Sequence, residues 1–136
     1  MTEKRNNTME TKKENWTEKE RKTLRNLLDS HNMKIYTSKQ DNELVSEIEF
    51  CSDLGEDFVM TVFWDGTAKG FTNSIKQFNE TFDPYEHAAQ YISMNYCQRT
   101  KLQIPNNNEA LMKDALHIKK EIQKFAQDLN KHFNKK

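Results

Sequence analysis

Alternation of apolar and polar residues predicts three β-strands in the middle of this chain. The strands cover residues 33–38, 44–52 and 58–65. A polar segment from Lys39 to Asn42 separates the first two strands, and a turn around Gly55 separates the last two. Because both connections are short, we expect the three strands to form an antiparallel meander.

The second and third strands differ in how their apolar residues are distributed. The second has one apolar side, formed by Leu44, Ile48 and Phe50. Its other side is more polar and carries Glu47, Glu49 and Cys51. The third strand has large apolar residues on both sides, which predicts that it is the central strand or is covered on two faces.

Apolar residues at helical spacing predict one helix before the strands. It starts after Trp16, where Thr17 and Glu20 can form a capping box, and it ends at His31 and Asn32. Its apolar face is formed by Leu24, Leu27 and Leu28.

Two further helices are predicted directly after the strands. The first follows Gly70 and repeats Phe71, Ile75 and Phe78. The second begins at Pro84, with Asp83 as its cap and Glu86 completing a capping box. It is expected to turn Ala88, Tyr91, Ile92 and Tyr96 inward.

A last helix is predicted from about Glu109, after a break formed by Pro105 and three asparagines at 106–108. It carries a single apolar stripe: Leu111, Ala115, Ile118, Ile122, Phe125, Leu129 and Phe133. Such a stripe can pack within the chain or across a dimer, so the pattern leaves the oligomeric state open.

These elements together predict an α+β fold, in which a three-stranded antiparallel sheet packs against an N-terminal helix and three C-terminal helices. The helices are expected to cover the sheet face that carries Ile48, Phe50, Met60, Val62 and Trp64. The 136 residues fit one domain, here residues 16–136. Residues 1–15 have almost no large apolar side chain and are expected to form a disordered tail.

The formal net charge is zero, but the charges are segregated along the chain. Residues 1–40 hold ten Lys or Arg and six Asp or Glu, whereas residues 41–90 hold two against eleven. Residues 91–136 hold nine against four. Such asymmetry is typical of a partner-binding surface, although oppositely charged segments can also neutralise each other within one fold.

Known catalytic and ligand-binding motifs are missing from the sequence. Three glycines are too few for a phosphate-binding loop, and the four histidines form neither an i, i+4 pair nor a His-Glu-x-x-His motif. No serine stands in a G-x-S-x-G element. We therefore predict a protein that is not an enzyme, with no cofactor, no metal and no catalytic residue.

Targeting segments and cysteines bear on the compartment. The sequence has no signal-peptide pattern and no run long enough to span a bilayer, which predicts a cytoplasmic protein without a membrane partner. Cys51 and Cys97 are not in a metal-ligand spacing. They are interpreted as two buried or half-buried thiols, with a disulfide or a reactive thiol as the alternatives.

Acidic residues concentrate on the second strand and on the turns beside the third: Glu43, Glu47, Glu49, Asp53, Glu56, Asp57 and Asp65. Carboxylates can bind metal or transfer protons, and they can also dock on a basic protein groove. They can equally form a solvated sheet edge that resists aggregation. A partner-binding surface is the functional hypothesis carried forward.

The alternative hypothesis is a nucleic-acid-binding accessory protein or regulator that uses its lysine-rich helices. The first helix carries Lys19, Arg21, Lys22 and Arg25. The last helix carries Lys113, Lys119, Lys120, Lys124 and Lys131. Both could track a phosphate backbone, but the domain as a whole is not basic.

Three sequence elements are similar to a family of small, mostly uncharacterised bacterial proteins. Residues 49–58, with Thr61-Val62 and Asp65-Gly66, resemble its "E-F-x-S-P-A-G-E-D-F-x-F-T-V" pattern. Residues 82–88 resemble its "F-D-x-x-E-H" helix start. The third element is Pro105 followed by Leu111, Asp114, Ala115 and Ile118. The chain departs from the pattern at residues 53–54, where the family has Pro-Ala.

Proteins of that family are often carried by conjugative elements, plasmids and phage-like islands. The resemblance therefore implies a role in maintaining a mobile element or in countering host defence. Together with the acidic segment, it leads us to expect a non-enzymatic inhibitor or adaptor, of which an anti-CRISPR or anti-restriction protein is one form. Its expected partner is a protein with a basic groove, such as a nucleic-acid-handling defence enzyme.

Overall fold

The structure is a computed structural model and describes residues 14–97 and 108–134. The described elements are α1 (Glu18–Ser30), β1 (Lys34–Gln40), β2 (Glu43–Cys51), β3 (Asp57–Trp64), α2 (Ala68–Thr81), α3 (Pro84–Cys97) and α4 (Asn108–Phe133). The α+β prediction is confirmed: a three-stranded antiparallel sheet follows one helix and precedes three others. Within these ranges, no helix is long and apolar enough to cross a membrane.

The sheet order is β1-β2-β3, so β2 is the central strand. The prediction that β3 is central or covered on two faces is wrong. Its second apolar face is exposed instead: Val59 and Phe63 are 41% and 56% accessible to solvent. The meander explains the order, because short hairpins place the strand that is middle in sequence at the middle of the sheet.

The β1–β2 hairpin turns on two residues, Asp41 and Asn42, rather than on the four polar residues expected. Both have positive φ, 52° and 67°, as in a type I′ turn. Lys39 and Gln40 therefore belong to β1 and pair with Leu44 and Glu43 of β2.

The helices cover the expected face of the sheet. Ile48, Phe50, Met60, Val62 and Trp64 are all buried in one core with side chains from α1, α2 and α4. Burial of this apolar surface is the main force that holds the layers together. The apolar stripe of α4 joins this core, so it packs within the chain, with Phe133 half-buried at its end.

A buried serine shows how the core accommodates polar atoms. Ser46 on β2 is fully buried, and its Oγ accepts a hydrogen bond from Nε1 of Trp64 at 2.9 Å. Its Oγ also lies 2.8 Å from Oγ1 of Thr37 on β1. Because a buried polar group costs free energy when it is unpaired, these bonds make an indole and a hydroxyl tolerable in this layer.

The predicted ends of α1 and the predicted start of α3 at Asp83 are confirmed, but the predicted start of α2 after Gly70 is wrong, because that helix begins at Ala68 with Thr67 as its cap and includes Gly70. Thr17 and Glu20 form the capping box of α1, with hydrogen bonds of 3.0 and 2.9 Å. Asn32, with φ of 56°, ends that helix in the left-handed conformation that asparagine tolerates. Oδ1 of Asp83 accepts from the backbone N–H of Tyr85 at 2.9 Å, as expected for the start of α3.

Several predictions fall outside the described part of the chain. They concern residues 1–13 of the expected tail, the break at 105–107 and the side chains of Tyr91, Ile92, Tyr96 and Cys97. Asn15, placed in the tail by composition, donates its backbone N–H to the carbonyl of Gly66 at 2.7 Å. The folded region therefore includes this end of the expected tail.

Candidate functional site

The sheet face opposite the helices is open to solvent, and it is here called the outer face. Cross-strand register places its members in rows, such as Tyr36 beside Glu47 beside Thr61. The face consists of Lys34, Tyr36, Ser38 and Gln40 of β1, Glu43, Val45, Glu47, Glu49 and Cys51 of β2, and Asp57, Val59, Thr61 and Phe63 of β3.

Large apolar side chains stand exposed on the outer face. Tyr36 and Phe63 are each 56% accessible, and Val59 is 41% accessible. Val45 lies in one row with Phe63 and is only 3% accessible, because it is on the central strand with neighbours on both sides. An exposed apolar patch with a polar surround is typical of an interaction surface.

Four of the seven predicted acidic residues share the outer face: Glu43, Glu47, Glu49 and Asp57. Lys34, opposite Glu49, is the single cationic residue among the members of the outer face defined above. The face is therefore strongly acidic around its aromatic residues. Cys51 is exposed at one end of this face, opposite Asp57, so the prediction of a buried or half-buried thiol is wrong for Cys51.

The other three predicted acidic residues have different positions. Asp53 lies in the β2–β3 turn with its Oδ1 3.4 Å from Nε2 of His117. Asp65 lies at the start of α2, where its Oδ1 accepts from the backbone N–H and the hydroxyl of Thr67 at 2.9 and 2.7 Å. Glu56 points toward α3 and its side chain is only 12% accessible. The seven carboxylates therefore do not form one patch.

Glu56 contacts a histidine in the first turn of α3. Its Oε1 lies 3.1 Å from Nε2 of His87, whose side chain is 16% accessible. The imidazole also packs against Phe58 and Phe82, with ring centroids 5.4 Å away in both cases. His87 is thus largely enclosed.

The same turn is bound by α4. Oδ1 of Asp114 accepts a hydrogen bond from the backbone N–H of Leu54 at 3.0 Å, and Asp114 is only 7% accessible. Within the turn, Oγ of Ser52 accepts from the N–H of Glu56 at 3.0 Å, and Gly55 takes a positive φ of 92°. The turn is therefore held by two part-buried hydrogen bonds, one to α4 and one within the turn.

The three sequence elements that carry the family resemblance meet at this turn. Ser52, Leu54 and Glu56 come from the first element, His87 from the second and Asp114 from the third. Neither His87 nor Asp114 had been predicted as a functional residue. The position of Asp114 could have indicated a buried role, because it is a charged residue directly beside Ala115 in the apolar stripe of α4.

A cleft of about 580 Å³ opens beside the turn. Its lining mixes charges and apolar groups: Asp53, Leu54, Ala110, Lys113, Asp114, Leu116, His117 and Lys120. In residues 14–97 and 108–134, no group of three or more His, Cys, Asp or Glu side chains is arranged to hold a metal ion.

Two of the lysines on α4 have contacts within the protein. Nζ of Lys119 donates to the carbonyl oxygens of Asn79 and Phe82 at the end of α2, the second at 3.2 Å. Nζ of Lys124 lies 3.9 Å from Oε2 of Glu121. Lys119 therefore joins two helices, and it is not a free member of a phosphate-binding track.

No protein-family model matches this chain, and no curated protein or solved structure shows significant similarity to it.

Proposed function

We propose that this chain is a non-enzymatic protein-binding module that docks through the outer face of its sheet and acts as an inhibitor or adaptor. The observation that supports this most directly is the composition of that face. Exposed Tyr36 and Phe63 stand among four carboxylates on a sheet layer that the described helices leave uncovered.

Aromatic side chains and charges contribute differently to such a surface. Tyrosine and phenylalanine bury a large area with few rotatable bonds, and aromatic anchors commonly supply much of the free energy of an interface. The carboxylates select a basic partner and accelerate its approach. The combination fits a partner that presents cations around an apolar centre.

A solvated face that only prevents aggregation is the competing explanation. Charged residues on a sheet do reduce edge-to-edge association. That explanation accounts for Glu47 and Glu49, but it gives no reason to expose Tyr36, Val59 and Phe63 beside them. Each of the three would be better replaced by a polar residue if solubility were the sole requirement.

The kind of partner follows from the charge of the face together with the family resemblance. A nucleic-acid-handling enzyme of a host defence system has a basic groove, and a carboxylate-rich face could occupy it in place of phosphates. In this proposal the chain is a mobile-element protein of the anti-CRISPR or anti-restriction kind. It works in the cytoplasm, where such enzymes act.

Quantitative affinity capture from a host lysate, read by mass spectrometry, tests the proposal. The variant E47K reverses one charge at the centre of the outer face, and E80K reverses an exposed charge on α2 as its matched control. Wild type and E80K should enrich the same basic partner, and E47K should lose most of it. Equal enrichment by all three proteins would overturn the outer-face proposal.

A further inference from the structure

A groove lies between α1 and β1, and two of its lining residues, Lys34 and Tyr36, also belong to the outer face. Its volume is about 450 Å³, within the range of protein ligand sites. One wall is a stripe of α1 at helical spacing: Arg21, Leu24, Arg25 and Leu28. The other wall is a run of five consecutive residues, 33–37.

The consecutive run shows which part of β1 faces the groove. Side chains alternate between the two faces of a strand, so one face would contribute only every second residue. Five neighbours in a row therefore mean that the backbone edge of β1 lines the groove. In the described part of the chain β1 pairs only with β2, which leaves that edge with N–H and C=O groups directed outward.

The side chains of the groove are apolar at its base and charged around it. The apolar residues are Trp16, Leu24, Leu28, Met33, Ile35 and Trp64. Three cations line it, Arg21, Arg25 and Lys34, against two carboxylates, Glu14 and Asp29. None of the three cations forms an ion pair with a described residue.

We infer that this groove binds an extended acidic segment of a partner protein, which adds to the sheet as a fourth strand beside β1. Backbone hydrogen bonds to the open edge would supply affinity, as in other cases of strand addition beside a helix. Every second side chain of the segment points toward α1, where an apolar one contacts Leu24 or Leu28. A carboxylate on that same side meets the guanidinium group of Arg21 or Arg25, which favours bidentate carboxylate contacts.

The chain's own first residues are the other candidate occupant, because Glu14 lies at the groove. Their composition does not match it. Residues 1–13 carry four cations and two acids, with Lys12 and Lys13 directly before Glu14 in the sequence, and methionine is their sole large apolar residue type. Cationic side chains would meet Arg21 and Arg25 with like charge, so the groove selects an acidic partner segment instead.

A second groove supplies a control within the same molecule. It runs between β3 and α2, has a volume of about 270 Å³ and is lined by uncharged residues that include Thr61, Val62 and Phe63. An occupant that recognises only an open strand edge would have no reason to prefer β1. An occupant selected by Arg21 and Arg25 would bind at β1 alone.

Nuclear magnetic resonance of the full-length, isotope-labelled chain tests the inference with two capped eight-residue peptides. In both peptides every second residue is threonine. The residues between are valine and glutamate in turn in one peptide, and valine and lysine in turn in the other, so that both kinds of side chain share one face of the strand. The glutamate peptide should shift the amide signals of residues 34–37 and leave 61–63 in place, and the lysine peptide should shift neither. Unmoved signals at 34–37, or equal shifts with both peptides, would overturn the inference.

Two variants separate this inference from the outer-face proposal. The double variant R21E/R25E should weaken binding of the glutamate peptide at least tenfold, whereas D57K, on β3 of the outer face and outside the groove lining, should leave it unchanged. The reverse pattern would place the peptide on the outer face and refute the groove. Hydrogen exchange of the peptide-free chain completes the test: slow exchange of the outward-facing amides of β1 would mean that residues 1–13 occupy the edge.

Discussion

Oε1 of Glu56 lies 3.1 Å from Nε2 of His87, and this contact joins the β2–β3 turn to the first turn of α3. Both side chains are largely enclosed, at 12% and 16% accessibility. The contact changes the role assigned to Glu56, from a partner-binding carboxylate to a residue that stabilises the fold. Four of the other predicted acids, Glu43, Glu47, Glu49 and Asp57, lie on the outer face.

Replacing Glu56 by alanine should lower the free energy of unfolding by about 1–3 kcal/mol, the cost of leaving a buried polar group without its partner. Glu56→Gln retains an oxygen acceptor and should recover much of that loss. Urea denaturation measures both effects. Asp57→Ala is the matched control, since Asp57 is exposed and should change stability by no more than about 0.5 kcal/mol. Equal losses for Glu56→Ala and Asp57→Ala would contradict the structural role of Glu56.

Asp114 should behave in the same way on the other side of the turn. Asp114→Ala leaves the backbone N–H of Leu54 without its acceptor and should cost about 1–3 kcal/mol in thermal or urea unfolding. Asp114→Asn preserves Oδ1 and should cost less. Lys113→Ala, at the exposed neighbouring position on α4, serves as the control. A loss as large for Lys113→Ala would show that the effect comes from the helix and not from the hydrogen bond.

The β1–β2 turn predicts a third effect on stability. Asn42 has φ of 67°, a left-handed conformation that is unfavourable for β-branched residues. Asn42→Val should therefore destabilise the chain by about 1–2 kcal/mol, and Asn42→Gly should be neutral or stabilising. Ser38→Val, at an exposed strand position, should have little effect on the melting temperature. Unchanged stability in Asn42→Val would argue against the two-residue turn.

Lys119 and Lys120 are adjacent on α4, and the nucleic-acid hypothesis assigns both to a phosphate-binding surface, although Lys119 contacts the end of α2. Lys119→Met removes the donor to the carbonyls at the end of α2 and should lower stability by about 1 kcal/mol, whereas Lys120→Met should not. In a gel-shift assay at low salt, neither substitution should change binding to duplex DNA or to RNA, because the wild-type chain should bind neither. Binding that falls steeply with salt would instead support the nucleic-acid hypothesis.

Hydrophobic periodicity predicted the elements and the buried face of the sheet because both depend on local spacing. Leu24, Leu27 and Leu28 face the core as expected, and so does the stripe of α4. Strand order, in contrast, depends on how the hairpins assemble. The two apolar faces of β3 led to the incorrect prediction that both faces of this strand are covered. An exposed Phe63 gives the same sequence pattern as a buried one.

The candidate site was predicted in part for a similar reason. Alternation correctly placed Glu47 and Glu49 on the side away from the core. Glu56 lies in a polar turn, and nothing in its neighbours indicates that its partner is His87, 31 residues later. Lys119 looked like one more cation on a helix, until packing of α4 beside α2 brought it to two carbonyl groups. Contacts between distant segments, unlike periodicity, become visible only in the fold.

Photo-crosslinking in host cells tests the outer-face proposal most directly. A photoreactive phenylalanine analogue would replace Phe63 on the outer face, and in a separate variant it would replace Tyr85 on α3, an aromatic residue of similar exposure at 63%. The proposal predicts that Phe63 crosslinks to one basic partner protein, that Tyr85 does not, and that adding E47K abolishes the product. A partner captured equally from both positions, or from Tyr85 alone, would contradict it.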